Sequence, residues 1–214
     1  MIDISKSRLV LALDVTDQDK AMEITKCTAP YVAAIKVNYP LILSCELKIV
    51  TDISRFAPVI CDFKIADIPN TNRLIVEQAV KAGAEGIICH AFVGRDSVKQ
   101  CVDSAGDSDV FVVTEMSHPG GLEFTGKHWN ELATIARECG ARGVIAPATR
   151  PERVREVRKI IGNDMLILSP GVGVQGGKAS DVLEAGADII IVGRSIYGAE
   201  DPGGVAREFF KACQ

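Results

Sequence analysis

Eight short apolar, β-branched runs recur along the chain at near-regular intervals, and this rhythm restricts the fold more than any other feature. The runs cover residues 9–13, 32–37, 59–63, 86–92, 110–114, 143–147, 165–169 and 188–192. Unbroken apolarity over so few residues marks strands buried on both faces, as in a parallel sheet. Between them lie stretches with helical period and a polar face, at 17–28, 70–82, 127–139, 151–161 and 201–211. The runs start about 26 residues apart, room for one strand and one helix each. Eight such units with no linker or low-complexity tract predict an α/β fold, a single (β/α)8 TIM barrel over residues 1–214. An open doubly wound sheet is the competing architecture, but even spacing of eight units favours closure. Local signals agree. Thr149-Arg150-Pro151-Glu152 reads as a capping box with proline just inside the helix. Gly83 and Gly186 read as helix C-terminal glycines before the next strand.

Charge and cysteine usage narrow the function. Lys and Arg number 24 against 28 Asp and Glu, a net charge of −4. No basic excess is left to neutralise a polyphosphate backbone, so no nucleic-acid partner is expected. A small anion needs only a few local positive groups and stays possible. The cysteines number seven, and none has CxxC spacing. An odd count without such pairs indicates neither a disulfide framework nor a zinc knuckle, and free thiols suit a reducing cytoplasm. The opening Met1-Ile2-Asp3-Ile4-Ser5-Lys6 is too acidic and mixed for a secretory signal. No apolar run reaches the ~18 residues of a membrane span, so no membrane partner is expected.

A barrel of this kind carries its chemistry where strands end and loops begin. The first run ends in Asp14, the second contains Lys36, the fourth runs into His90, and the fifth into Thr114-Glu115-Met116-Ser117-His118-Pro119-Gly120. The third is the most informative: Asp62-Phe63-Lys64-Ile65-Ala66-Asp67. Asp62 and Lys64, two apart, share a face with Ile60, so they point into the barrel mouth. Buried charges need partners, and Lys36 with Asp67 completes an alternating Lys–Asp–Lys–Asp array. Carboxylates on either side favour an ammonium at Lys64 able to deliver a proton in a dry pocket. A structural ion-pair network is the competing reading. Near the end, Ser169-Pro170-Gly171-Val172-Gly173-Val174-Gln175-Gly176-Gly177 and Gly193-Arg194-Ser195 follow the last two runs. Glycines let backbone amides approach an anion, a helix start adds its dipole, and Arg194 adds a charged fork, so a phosphate site is expected there. His90 is either a base or a hydrogen-bonded supporting residue, and Glu115 either an acid–base group or a structural partner. His118 is a lid or simple loop residue, and His128 a surface one. Cys61 and Cys89 read as apolar fillers.

Asp62-Phe63-Lys64-Ile65-Ala66-Asp67-Ile68-Pro69-Asn70-Thr71-Asn72 closely resembles the DxKxxDIPxTN signature of the orotidine 5′-phosphate decarboxylase family. Leu11-Ala12-Leu13-Asp14, Ile35-Lys36-Val37-Asn38-Tyr39-Pro40, Thr114 to Gly120, Ser169 to Gly173 with Gln175-Gly176-Gly177, and Val192-Gly193-Arg194-Ser195-Ile196-Tyr197 match in order. The resemblance implies metal-free, cofactor-free decarboxylation of orotidine 5′-monophosphate to uridine 5′-monophosphate, in de novo pyrimidine synthesis. It implies that Lys64 protonates C6, Asp62 sits beside the substrate carboxylate, Lys36 links Asp62 to the ribose, and Asp14 binds a ribose hydroxyl. Ser117 would read the pyrimidine edge. Pro170, Gln175, Gly193 and Arg194 would bind substrate, the last three at the phosphate, beneath closing loops. It also implies a homodimer in which Asp67 and Thr71 reach into the partner's site.

Three rivals remain. The Mg2+-dependent 3-keto-L-gulonate 6-phosphate decarboxylase and hexulose-phosphate synthase group shares the DxKxxD strand, but places a carboxylate where this chain has Lys36, and a lysine repels Mg2+. A phosphosugar isomerase explains the phosphate loops and not the charged array. A nucleotide-binding protein without turnover leaves the buried charges unused.

Overall fold

The computed structural model describes residues 2–214, so Met1 of the opening segment lies outside it. The strands are β1 (Leu9–Leu13), β2 (Ala34–Val37), β3 (Val59–Ile65), β4 (Gly86–His90), β5 (Asp109–Val113), β6 (Gly143–Ile145), β7 (Leu166–Pro170) and β8 (Ile189–Val192). The helices are α1 (Gln18–Thr28), α2 (Tyr39–Cys45), α3 (Lys48–Ser54), α4 (Pro69–Lys81), α5 (Arg95–Ser104), α6 (Thr125–Glu138), α7 (Pro151–Ile161), α8 (Ala179–Glu184), α9 (Arg194–Tyr197) and α10 (Pro202–Ala212). All eight strands are parallel in chain order, and β1 closes the barrel on β8 through Leu9 opposite Ile190. The expected TIM barrel is therefore the fold.

The apolar runs are continuous because each strand feeds two cores. Val10, Ala34, Ile60, Ile88, Phe111, Leu168 and Ile189 fill the barrel interior. Their neighbours of opposite parity, such as Leu11, Ile35, Cys61, Ile87 and Val112, pack against the helices. Alternation along a strand thus separates two apolar layers rather than core from water. At the barrel base, buried Ile2 enters the inner layer, and its N–H donates to Asp109 Oδ2 at 2.7 Å.

Several boundaries differ from the sequence expectations. The second strand starts at Ala34 because Ala29–Tyr31 form a 3-10 turn and Val32 ends it. The fourth stops at His90, leaving Phe92 60% exposed. The sixth is only three residues long. The segment between β2 and β3, not predicted as helix, forms two short ones, divided where Glu46 takes a positive φ of 60°. The capping box is not formed: Arg150 is the N-cap of α7 without a side-chain cap, and Thr149 Oγ1 donates instead to Ser117 O at 3.3 Å. Pro151 does open the helix. Gly83 and Gly186 follow α4 and α8 with φ of 100° and 107°, as C-terminal glycines do. Among the described residues, no helix is long and apolar enough to cross a membrane.

Candidate active site

The C-terminal mouth of the barrel encloses a cavity of about 220 Å³. Its floor is the top of the inner core: Ala12, Ile88, Val113, Ile145 and Ile191. Strand parity then aims charged residues inward above that floor. Lys36 follows Ala34 on β2, and Asp62 follows Ile60 on β3.

Asp62 is 4% exposed and stands between two ammoniums. Lys36 Nζ donates to its Oδ2 at 2.8 Å, and Lys64 Nζ lies 2.9 Å from both of its oxygens. Asp14 Oδ1 is 3.9 Å from Lys36 Nζ, and that oxygen is buried without a hydrogen-bond partner. Burial opposes the Asp62 charge, but the Lys36 and Lys64 ammoniums outweigh it and hold the carboxyl below the usual carboxylate range. A buried ion cluster of this kind is poor evidence for stabilisation, because desolvation offsets much of the attraction. It does fix an ammonium beside an apolar floor.

Lys64 reaches Asp62 by an unusual path. Cys61 pairs with Ile87 and Ile65 with Cys89, so four steps along β3 face two along β4. The surplus is a bulge at 62–64, and Lys64 takes a positive φ of 44°. A side chain in that region is strained by about 1–2 kcal/mol, and strain of this kind collects at functional sites. Lys64→Gly is therefore expected to fold about 1 kcal/mol more stably than Lys64→Ala, the reverse of the ordinary strand preference. Urea unfolding of the two variants reads this directly. A more stable alanine variant would contradict the left-handed backbone.

The glycine-rich segments close the other side. Gly173 has a φ of 84°, which glycine adopts without strain, and a Cβ there would have to displace the Ser195 hydroxyl on the segment after β8. Pro170, Gln175, Gly193 and Arg194 all line the cavity. The helix after Gly193 is a single turn of four residues, too short for the helix dipole expected from sequence to matter. The groups left in this segment that could bind an anion are the Arg194 guanidinium and nearby backbone amides.

Ser117 lines the cavity on a well-braced stem. Arg150 Nη2 donates to Met116 O at 2.6 Å, and Met116 N–H donates to Thr125 Oγ1 at 3.2 Å. Glu115 is fully buried between Arg150 Nε at 2.6 Å and Arg153 Nε at 2.5 Å, with Arg153 stacked 4.3 Å over Trp129. That resolves Glu115 as a structural partner rather than an acid–base group. His90 is buried with Nδ1 unpartnered, and burial together with the Lys64 charge drops its pKa to about 4. It is uncharged near neutrality. His118 and His128 are exposed. Burial pushes the Cys61 thiol up to about 12, in keeping with a filler.

Asp67 and Thr71 do not join the site. Asp67 is exposed beyond β3, Thr71 is half-buried on α4, and neither lines the cavity. The array in one chain is therefore Lys36–Asp62–Lys64, without the fourth charge. Asn38, Ser195 and Tyr197 do line the cavity and were not singled out from sequence. Spacing carries the signal for two of them: Asn38 is two residues past Lys36, and Tyr197 is three past Arg194 on one helical turn. Among the described residues, no group of three or more His, Cys, Asp or Glu is placed to hold a metal ion.

The profile of the "Orotidine 5'-phosphate decarboxylase / HUMPS family" matches residues 7–209. The orotidine 5′-phosphate decarboxylase of Methanosarcina mazei is 57% identical over 208 residues, which are 96% of this chain and 94% of that protein. That of Thermococcus kodakarensis is 51% identical over 210 residues, 97% of each chain. Among solved structures, orotidine 5′-monophosphate decarboxylase from Methanocaldococcus jannaschii, complexed with the inhibitor BMP, superposes with a TM-score of 0.92. It is 41% identical, and the match covers 98% of this chain and 99% of that one.

Proposed function

The chain belongs to the orotidine 5′-phosphate decarboxylase / HUMPS family, and from that membership we propose that it converts orotidine 5′-monophosphate to uridine 5′-monophosphate in pyrimidine biosynthesis, using neither metal nor cofactor. The observation that carries this reading is the Lys36–Asp62–Lys64 array above the cavity floor, with Gln175, Gly193 and Arg194 lining the same cavity. As the bond between C6 and the carboxylate breaks, the electron pair stays on C6 and carbon dioxide leaves. Lys64 stabilises that developing charge as a fixed ammonium and then donates a proton to C6. Asp62 holds Lys64 in place and lies beside the departing carboxylate. Asp14, whose buried Oδ1 awaits a donor, takes a ribose hydroxyl, and Lys36 links the ribose to Asp62. Ser117 faces the pyrimidine edge. Gln175, Arg194 and the Gly193 amide hold the phosphate, with Pro170 beside them, and binding energy at that remote group supports reaction at C6.

The Mg2+-dependent branch of the family fits less well. Both Asp62 oxygens are already engaged by ammoniums, and a divalent cation would enter between two positive charges. The test is the ultraviolet absorbance of orotidine 5′-monophosphate mixed with the purified protein in excess EDTA. Loss of the substrate band with formation of uridine monophosphate is the expected result. No change with folded protein would remove the assignment, and restoration by Mg2+ would favour the metal-dependent branch.

A second copy of the chain completes the site in this reading. Asp67 is exposed outside its own cavity, and the elements after β2, β3 and β4 each carry an exposed apolar residue: Leu43 at 82%, Ile68 at 65% and Phe92 at 60%. Such a surface suits a symmetric pairing that carries Asp67 and Thr71 into the neighbouring mouth. The seven free thiols accord with a cytoplasmic setting.

Arg194→Ala is expected to raise KM by roughly 10- to 100-fold, the value of one or two charge-assisted hydrogen bonds, with a smaller change in kcat. Steady-state kinetics checks this. An unchanged kcat/KM would contradict phosphate binding by Arg194.

A further inference from the structure

Asp67 lies on an exposed loop, yet its backbone is fastened on both sides. Its N–H donates to Asn72 Oδ1 at 3.1 Å, and its carbonyl accepts from Ser97 Oγ at 2.7 Å. Asn72 Nδ2 donates to Ser97 O at 3.3 Å, which closes a hydrogen-bonded ring across the start of α4 and the first turn of α5. Both holders are buried, Asn72 at 1% exposed and Ser97 at 3%, and neither lines the cavity. The ring fixes the peptide planes before and after Asp67, and hence its φ and ψ. The side chain is set as well, since Asp67 Oδ1 accepts from Ile68 N–H at 2.7 Å. Among the described residues, Oδ2 makes no hydrogen bond, so an exposed residue carries one carboxylate oxygen that is held in place and free to bind. A loop that only connects β3 to α4 needs no such fastening, because an exposed connection can leave its backbone groups to water.

We propose that Asn72 and Ser97 are positioning residues that aim the Asp67 carboxylate into the neighbouring copy's mouth, so that their loss harms the partner's site and spares their own. This rests on the shared-site reading above. An aim altered by an ångström costs up to about 100-fold in rate, so Asn72→Ala and Ser97→Ala homodimers are expected to lose about 10- to 100-fold in kcat/KM. Each is then mixed with Asp62→Ala, whose own mouth is disabled but whose Asp67 loop is intact. After subunit exchange, a mixed dimer contains one mouth with every group in place. Random pairing at equal amounts makes about a quarter of all sites intact, and activity is expected to rise to that level.

A purely local structural role predicts no rise, because each variant would carry its defect in its own mouth. Mixing Asp67→Ala with Asp62→Ala is the control. If the control recovers and the Asn72 and Ser97 mixtures do not, the positioning role is wrong and the shared site stands. If the control fails with exchange verified, the shared site falls and takes the proposal with it. Wild-type activity in both homodimers also overturns it. Should Asn72→Ala fail to fold, Ser97→Ala decides, since it removes a single hydroxyl.

Discussion

Lys64→Ala is expected to lower kcat by at least about 10⁴-fold, because one ammonium supplies both charge stabilisation and the proton. Uridine monophosphate should still bind, since Arg194, Gln175 and Asp14 lie elsewhere on the cavity wall. The two readouts together are diagnostic. Titration calorimetry reports nucleotide binding, and the absorbance assay reports turnover. Retained near-normal turnover would end the role given to Lys64. Loss of both binding and turnover would point to collapse of the array, in which Asp62 keeps only Lys36 as a partner. The stability comparison between glycine and alanine at this position separates that outcome, because it tracks the backbone without reference to substrate.

The second large effect is a recovery rather than a loss. Asp62→Ala and Asp67→Ala homodimers should each be nearly inactive, the first through its own array and the second through its neighbour's. Mixed and allowed to exchange, they should regain about a quarter of wild-type activity, since half the dimers are hybrids with one complete mouth. Native mass spectrometry of the mixture establishes that hybrids form. Hybrids without activity would show that Asp67 does not act across the pair.

Much of the fold and of the candidate site is legible in the sequence. Parallel strands with two apolar faces leave an unmistakable pattern of short continuous runs, and eight of them leave few topologies. The same pattern exposes the site, since Asp62, Lys64 and Lys36 interrupt stretches that are otherwise apolar. What escaped depends on distant partners or on backbone detail. Sequence leaves Glu115 as either an acid–base group or a structural partner, and only the fold, which brings Arg150 and Arg153 around it, decides for the second. Thr149 has the right neighbours for a cap, but a carbonyl on another loop engages its hydroxyl. Parity placed Lys64 correctly for an incomplete reason, because the bulge and left-handed backbone that bring it to Asp62 are invisible in spacing. Asp67 was joined to an array that one chain alone does not complete.

The bond from the Met116 amide to the Thr125 hydroxyl has a thermodynamic consequence. It ties together the two feet of segment 117–124, and Arg150 clamps the Met116 foot again at its carbonyl. The ends of this span are therefore already joined in the folded chain, so the closure entropy of the loop is lost on folding rather than on meeting a ligand. Between the feet the backbone is turned as well, since Pro119–Leu122 form a 3-10 turn in which Gly121 N–H donates to His118 O at 3.0 Å. In the proposed reaction, a nucleotide bearing on this segment would meet a short, anchored arch, and little of its binding free energy would go into ordering it.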